Sequence, residues 1–149
     1  MAVAPSQCSP PPRNGVSQPQ FEALRKPFRQ VRILDLPGCL SKTRLPCADL
    51  RFNLRLTDPI GSLLDDDAPW RGVGGEYVVT LGRESGAVSG ANPSLPTLSA
   101  SVNAFTRVWL GVQPATGLAI TDDLSGPPEL IRALDHALLL PTPYLGWDI

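Results

Sequence analysis

Strict alternation of apolar and polar residues marks the strands of this chain. Residues 50–57, LRFNLRLT, place a large apolar side chain at every second position, so one face is apolar and the other carries Arg, Asn and Thr. Residues 76–82, EYVVTLG, and 97–102, TLSASV, repeat the pattern, and residues 31–35, VRILD, form a shorter version. The pattern predicts four strands, and the clearest of them ends at Asp58, before a proline.

A change of period from two to about 3.6 after the strand at 97–102 predicts a helix. The segment 101–112, SVNAFTRVWLGV, has Asn103 in position to cap the helix and Gly111 near its C-terminal end. One apolar stripe runs along this helix, made of Val102, Phe105, Val108, Trp109 and Val112.

Prolines and caps indicate three further helical segments. Asp35 as an N-cap predicts a short helix over 37–44, and Pro114 starts a short turn. A final helix begins with Pro127 in its first turn and ends before Pro141. Its inward residues are predicted to be Leu130, Ile131, Leu134, Ala137 and Leu138.

The order of these segments predicts the fold class. Gly, Ser and Pro are frequent in residues 60–75 and 82–96, which are predicted to be loops, the second with one edge strand. Strands with helices on one face define an α+β fold, here with a mostly antiparallel sheet. Residues 1–27 hold six of the 17 prolines and are predicted to be a disordered tail, with a transit peptide as the alternative. Residues 28–149 are predicted to form one domain.

Composition narrows the classes of partner. Thirteen Lys and Arg residues against 14 Asp and Glu give a net charge of −1, which argues against nucleic-acid binding. No apolar run approaches the roughly 20 residues of a membrane-spanning helix, so we expect no membrane insertion. Cys8, Cys39 and Cys47 show no metal-ligand spacing and are predicted to be free thiols of a cytoplasmic protein. Neither a metal nor another cofactor is expected.

Catalytic motifs are incomplete. PGCLSKT at 37–43 lacks the glycines of a P-loop, and in GVGGEY at 72–77 a tyrosine stands where the third glycine of a dinucleotide motif belongs. The acidic triplet at 65–67 is predicted to be a solvated loop tip, since consecutive carboxylates point in different directions. His136 is the only histidine and is interpreted as a surface or groove-edge residue. Catalysis by this chain alone is therefore the least favoured of the functional hypotheses.

Four stretches together resemble a known family. They are VRILDLPGCL, LRFNLRLTDP, the strand-to-helix segment LSASVNAFTRVWLGV, and the terminal ALDHALLLPTPYLGWDI. In order and spacing, residues 29–149 resemble the sterol-carrier-protein-like domain at the C-terminus of bacterial GNAT-type acetyltransferases related to the enhanced intracellular survival protein. The resemblance implies about five strands with helices on one side and an apolar groove between the helices and the sheet.

The resemblance also suggests roles for individual residues. In the acetyltransferase relatives the terminal carboxylate can take a proton in the catalytic centre, and its counterpart here would be that of Ile149. The family ends in an aromatic residue instead. RGVGGE at 71–76 is close to the pyrophosphate-binding motif R/Q-x-x-G-x-G/A, but Glu76 departs from it and no helix is predicted to follow, so we do not expect this chain to bind acetyl-CoA.

Two functional hypotheses follow. The first is a non-catalytic, sterol-carrier-like domain that binds a lipid or another apolar molecule. Its groove is predicted to be lined by Phe105, Val108, Trp109, Leu110, Leu134 and Leu138. The alternative is an accessory or oligomerisation domain without a free ligand, whose partner is a separately encoded GNAT-type acetyltransferase or a second copy of the chain. Any enzymatic role would be as a part of such an acetyltransferase.

Overall fold

The computed structural model describes residues 30–46 and 49–141, which form one five-stranded sheet and four α-helices. The strands are β1 (Leu50–Thr57), β2 (Gly75–Leu81), β3 (Gly86–Ser89), β4 (Thr97–Ser101) and β5 (Leu124–Ser125). The helices are α1 (Leu36–Ser41), α2 (Val102–Trp109), α3 (Ala115–Thr121) and α4 (Pro128–Ala137), and a 3-10 turn spans Pro59–Ser62. The predicted tail at 1–27 lies outside the described residues.

The sheet is mixed, with strand order β3-β2-β1-β4-β5. β1 pairs with β2 in antiparallel orientation and with β4 in parallel orientation, with Leu54 opposite Leu98. The prediction of an α+β fold is confirmed. The sheet differs from the predicted one in being mixed: three of its four pairings are antiparallel, and the pairing of β1 with β4 is parallel. The hairpin formed by β2 and β3 lies between β1 and β4 in sequence, so β4 returns on the free side of β1 and runs parallel to it.

The apolar face of the sheet and the helices form the core. Along β1, the residues predicted to face inward are buried or half-buried, whereas Arg51 and Arg55 on the opposite face are exposed. Phe105 of α2 and Leu134 of α4 are buried as well. No helix among the described residues has both the length and the apolar character that crossing a membrane requires.

Two predicted segments near the start of the described chain differ from the structure. Residues 31–35 are not a strand, although Ile33 is buried and its backbone N–H lies 3.4 Å from the Thr106 hydroxyl. The following helix is shorter than predicted, because it ends at Ser41. Its cap is as predicted: the Asp35 carboxylate accepts a hydrogen bond from the Gly38 N–H at 3.0 Å. Alternation over only a few residues does not show whether a neighbouring strand exists to pair with.

The N-cap of α2 is Ser101, and the prediction of Asn103 is wrong. The Ser101 hydroxyl accepts a hydrogen bond from the Ala104 N–H at 3.1 Å, whereas Asn103 is exposed within the first turn. The strand therefore passes into the helix without an intervening loop.

Replacement of Ser101 with Ala is expected to lower the free energy of unfolding by about 1 kcal/mol, because one N–H of the first turn loses its acceptor. Asn103→Ala is the matched control and should leave the free energy of unfolding within about 0.5 kcal/mol of the wild type. Urea unfolding followed by circular dichroism measures both. Equal losses in the two variants would show that Asn103 shares the capping role.

Candidate functional site

A groove lies where the C-terminal ends of α2 and α4 meet the N-terminal end of α3. We call it the helix groove. It has a volume of about 230 Å³. Its lining residues are Val108, Gly111, Gln113, Pro114, Ala115, Leu134, Asp135, Leu138, Leu139 and Leu140.

Gly111 shapes one wall of the helix groove. Its φ of 66° lies in the left-handed region, which ends α2 and turns the chain toward α3. The turn is closed by the Val112 N–H, which donates to the Arg107 carbonyl at 2.9 Å. A Cβ at position 111 would lie 2.9 Å from the Cβ of Leu140, closer than ordinary packing allows.

Gly111→Ala is therefore expected to lower the free energy of unfolding by about 1–2 kcal/mol, through left-handed strain and the contact with Leu140. Gly117→Ala is the matched control. Gly117 lies within α3, where a Cβ would meet Pro114 at an ordinary 3.5 Å, so this change should stabilise the protein by up to about 1 kcal/mol. Thermal unfolding distinguishes the two. Stabilisation in both variants would contradict the left-handed turn.

The Asp135 carboxylate of α4 caps the N-terminus of α3. The N-cap position of α3 is Pro114, which has no side chain that can accept a hydrogen bond. Asp135 Oδ1 accepts from the Ala115 N–H at 2.5 Å, and Oδ2 accepts from the Thr116 hydroxyl at 2.7 Å. The Thr116 N–H lies 3.4 Å from both oxygens. Asp135 thus joins two helices and places a carboxylate in an otherwise largely apolar groove.

Six residues were predicted to line a groove between the helices and the sheet, and three of them, Val108, Leu134 and Leu138, line the helix groove, which lies between three helices. Phe105 is instead buried in the core, and Leu110 is half-buried outside the lining. Trp109 is also outside the lining, and its indole N–H donates to the Thr43 hydroxyl at 2.9 Å. The predicted stripe therefore faces several neighbours rather than one cavity.

Sequence reasoning missed Asp135 as a groove residue. The signal was indirect, since Pro114 cannot cap the helix that follows it, so another side chain has to. His136, next in the sequence, is exposed, in agreement with its interpretation as a surface residue. Ile149, whose carboxylate was the candidate proton acceptor, lies outside the described residues, as do Tyr144 and Trp147 of the predicted terminal anchor.

The glycine turn at 72–75 is organised around a protein carboxylate. Asp58, whose side chain is fully buried, accepts hydrogen bonds from the Val73 N–H at 2.9 Å and the Ile60 N–H at 3.1 Å, and it pairs with Arg32. Burial raises the pKa of Asp58, but the hydrogen bonds and the charge of Arg32 outweigh it, so the pKa lies below its ordinary value of 3.8. Strand β2, not a helix, follows the turn.

A second cavity, of about 180 Å³, lies on the open face of the sheet. The Asn53 amide holds the adjoining loop by donating to the Asn92 and Leu95 carbonyls and by accepting from the Asn92 N–H. The nearby Arg55 is paired with Glu76 at 3.1 Å. These polar groups are engaged with one another.

Metal-binding side chains do not converge in the described parts of the chain. Within residues 30–46 and 49–141, no group of three or more His, Cys, Asp or Glu residues could hold a metal ion. The triplet Asp65, Asp66 and Asp67 is exposed, as expected for a solvated tip. Cys39 is a free thiol, whose pKa is raised mainly by burial.

Three solved structures with a similar fold are described as acetyltransferases or as a probable acyltransferase. A GCN5-related N-acetyltransferase (GNAT) from Kribbella flavida matches with a TM-score of 0.59 and 21% identity, over 76% of this chain and 27% of that chain. One from Anabaena variabilis ATCC 29413 gives 0.58 and 12%, over 75% and 26%. A conserved protein from Enterococcus faecalis V583, described as a probable N-acyltransferase, gives 0.52 and 21%, over 72% and 25%. This chain therefore shares its fold with a part of these proteins and spans about a quarter of their length.

The two other comparisons find no relatives. No protein-family model matches the chain, and no curated protein does so.

The comparisons correct the predicted function. The three structures are described as N-acetyltransferases or a probable N-acyltransferase, and none of these three is described as a sterol carrier. The prediction of a non-catalytic, sterol-carrier-like domain that binds a lipid or another apolar molecule is wrong. The GNAT half of the family resemblance is confirmed at the level of the fold.

Proposed function

We propose that this chain is a domain of a GNAT-type N-acetyltransferase and takes part in the transfer of an acetyl group from acetyl-coenzyme A to an amine. In that reaction the amine nitrogen attacks the thioester carbonyl carbon, the carbon–sulfur bond breaks, and the amine releases a proton as coenzyme A leaves. The observation that carries the proposal is the shared fold, with TM-scores of 0.52 to 0.59 to three structures described as acetyl- or acyltransferases.

Backbone N–H groups in the glycine turn and at the start of α2, which could otherwise hold the coenzyme pyrophosphate, are engaged within the protein. In the glycine turn the Val73 N–H already donates to the Asp58 carboxylate, and that fixed negative charge would repel a phosphate. At the start of α2, the Ser101 hydroxyl takes the Ala104 N–H, and the Ser101 N–H donates to the Asp123 carbonyl. These contacts favour a role on the amine side of the reaction.

The helix groove suits that role. It combines apolar walls with one carboxylate, a combination that accepts an ammonium group together with a small apolar body. An acceptor held there by its ammonium or its side chain would be oriented relative to the acetyl donor, and orientation is a major source of rate acceleration in group transfer.

The test is an acetyl-transfer assay on the protein as its own organism produces it. The chain is tagged, isolated under mild conditions, and incubated with acetyl-coenzyme A and a panel of primary amines. We expect coenzyme A release that depends on the amine, together with products that gain the mass of one acetyl group. The recombinant 149-residue chain, assayed in parallel, shows whether this chain alone suffices.

A preparation that binds neither acetyl-coenzyme A nor amines and acetylates none of the panel would contradict the proposal. An Asp135→Asn preparation provides a second readout, since an amine-side role predicts a higher KM for the amine with an unchanged KM for acetyl-coenzyme A.

A further inference from the structure

We infer that the helix groove binds the ammonium group of a small apolar amine and that Asp135 is the residue that attracts it. The inference rests on the proposed function and deepens it: this amine would be the acetyl acceptor once its ammonium group has released a proton to solvent and regained the lone pair that attacks the thioester. It names a ligand class and a recognition residue for the helix groove, which lies between three helices. The groove predicted from the sequence was instead expected between the helices and the sheet.

Charge around the helix groove favours a cation. Asp135 contributes a full negative charge, and α2 and α4 both end at the groove, where each helix carries a partial negative charge of about half a unit. The N-terminus of α3 contributes a partial positive charge of similar size, which offsets only part of that total. Among the lining residues of the described chain, none is Lys, Arg or His.

The cationic side chains on α2 and α4 are paired or exposed. Arg107 of α2 pairs with Asp122, and Arg132 of α4 pairs with Glu129. His136 is exposed. None of these three is among the residues that line the groove, so they leave the Asp135 charge available to a ligand.

The Asp135 carboxylate can accept another donor in place of a long contact. An ionised carboxylate offers about four acceptor positions. Three donors make four contacts with it here: the Ala115 N–H and the Thr116 hydroxyl bind one oxygen each, and the Thr116 N–H is shared between both oxygens at 3.4 Å. An ammonium group can compete with this long, shared contact and form a charge-assisted hydrogen bond, which is stronger than a neutral one.

The walls and the volume limit the ligand to a small apolar body. Val108, Leu134 and Leu138 supply buried apolar surface, while Leu139 and Leu140 form an exposed apolar rim. A groove of about 230 Å³ is smaller than the roughly 300–1,000 Å³ of pockets for drug-sized ligands, which limits the ligand to a small molecule of about one ring. Cyclohexylmethylamine has this size and carries one ammonium group at neutral pH.

The test is a nuclear magnetic resonance titration of the chain with cyclohexylmethylamine. We expect saturable shifts of the backbone amides of Gly111, Ala115 and Leu140. Cyclohexylmethanol, of nearly the same shape but uncharged, should bind at least about tenfold more weakly. Equal affinities for the amine and the alcohol, or the absence of saturable shifts, would overturn the inference.

Asp135→Asn tests the recognition residue while keeping part of the cap. The amide oxygen can still accept from the Ala115 N–H, and the Thr116 hydroxyl can rotate to accept from the amide NH₂, so the variant should keep its fold, with some loss of stability, while losing the charge. We expect its affinity for the amine to fall by at least about tenfold. Glu129→Gln is the matched control, because Glu129 also lies on α4 but its side chain is 80% exposed and outside the groove. It should bind the amine like the wild type.

The outcomes separate the inference from the proposed function. Binding that depends on Asp135, in a protein that never acetylates an amine, would leave the inference standing and remove the proposed function. Acetyl transfer by the protein, with a KM for the amine that is unchanged in Asp135→Asn, would support the proposed function and overturn the inference. A folded Asp135→Asn variant that keeps its full affinity for the amine would overturn the inference alone.

Discussion

Replacement of Phe105 with Ala is expected to lower the free energy of unfolding by about 4 kcal/mol. The Phe105 side chain is 1% exposed, and it lies on the side of α2 that faces the core. Its truncation would leave a cavity between α2 and the sheet that neighbouring side chains fill only in part. A domain of this size has about 5–15 kcal/mol of stability in total, so the loss is a large fraction of it. Urea unfolding measures the change in the free energy of unfolding. Thermal unfolding should show a fall in Tm on the order of 15 °C.

Val112→Ala is the control, because the helical periodicity placed Val112 on the same stripe as Phe105. The structure places it after Gly111, beyond the end of α2, with half of its surface exposed. We therefore expect its replacement to change the free energy of unfolding by no more than about 0.5 kcal/mol. Similar losses in the two variants would mean that α2 continues past Gly111 and that the stripe is one continuous buried face.

The sequence was sufficient to predict the elements with strong local patterns. Eight residues of strict alternation define β1, and its two faces are as predicted. The switch from period two to period 3.6 predicts the passage from β4 into α2, because both patterns are determined by neighbours along the chain. The helix α4 was also predictable, from its first-turn proline and its apolar stripe.

Strand direction could not be predicted, since alternation is the same in parallel and antiparallel strands. The parallel pairing of β1 with β4 depends on where the β2–β3 hairpin folds back, which is a property of the whole sheet. Residues 31–35 show the opposite error: Ile33 is buried without being part of a strand. Buried, alternating residues form a strand only where a neighbouring strand is available for hydrogen bonding, and the sequence pattern does not show whether one is.

The candidate site was predictable only in part. The apolar residues Val108, Leu134 and Leu138 follow from helical periodicity, and they line the groove. Asp135 does not follow from it, because its role arises from a contact across 20 positions with the backbone of Ala115. A carboxylate that caps a distant helix looks, in the sequence, like any surface carboxylate.

The second large expected effect is the loss of stability when Asp58 is replaced, because this residue holds a hydrogen-bond network together. Asp58 directly follows β1, and its buried carboxylate joins three separate segments: Arg32 before α1, Ile60 in the 3-10 turn, and Val73 in the glycine turn. Position 72 is constrained by the same carboxylate, since a Cβ there would lie 2.6 Å from Asp58 Oδ2. The hydroxyl of Tyr77 donates to the Val73 carbonyl at 2.9 Å and extends the network into β2.

Asp58→Asn is expected to lower the free energy of unfolding by about 3 kcal/mol near pH 7. The amide has one acceptor oxygen for the two backbone donors, and its NH₂ group would face N–H groups instead of accepting from them. The Arg32 guanidinium, partly buried, would also lose its counter-charge. Urea unfolding at neutral pH measures the loss. A free energy of unfolding close to that of the wild type would contradict the role given to this carboxylate.

The pH dependence gives an independent check of the same network. Because the pKa of Asp58 in the folded protein lies below its ordinary value of 3.8, its stabilising contribution is complete above that value. The contribution is lost as the pH falls through the lower, folded-state pKa. The difference in the free energy of unfolding between wild type and Asp58→Asn should therefore be constant from neutral pH down to about pH 5 and become smaller in stronger acid.

Asp66→Asn is the control. Asp66 is fully exposed beside Arg71, so its replacement should leave the dependence of stability on acid pH unchanged. A difference between wild type and Asp58→Asn that became larger on acidification would mean that Asp58 is neutral in the folded protein, and its bonds to Ile60, Val73 and Arg32 would need another explanation.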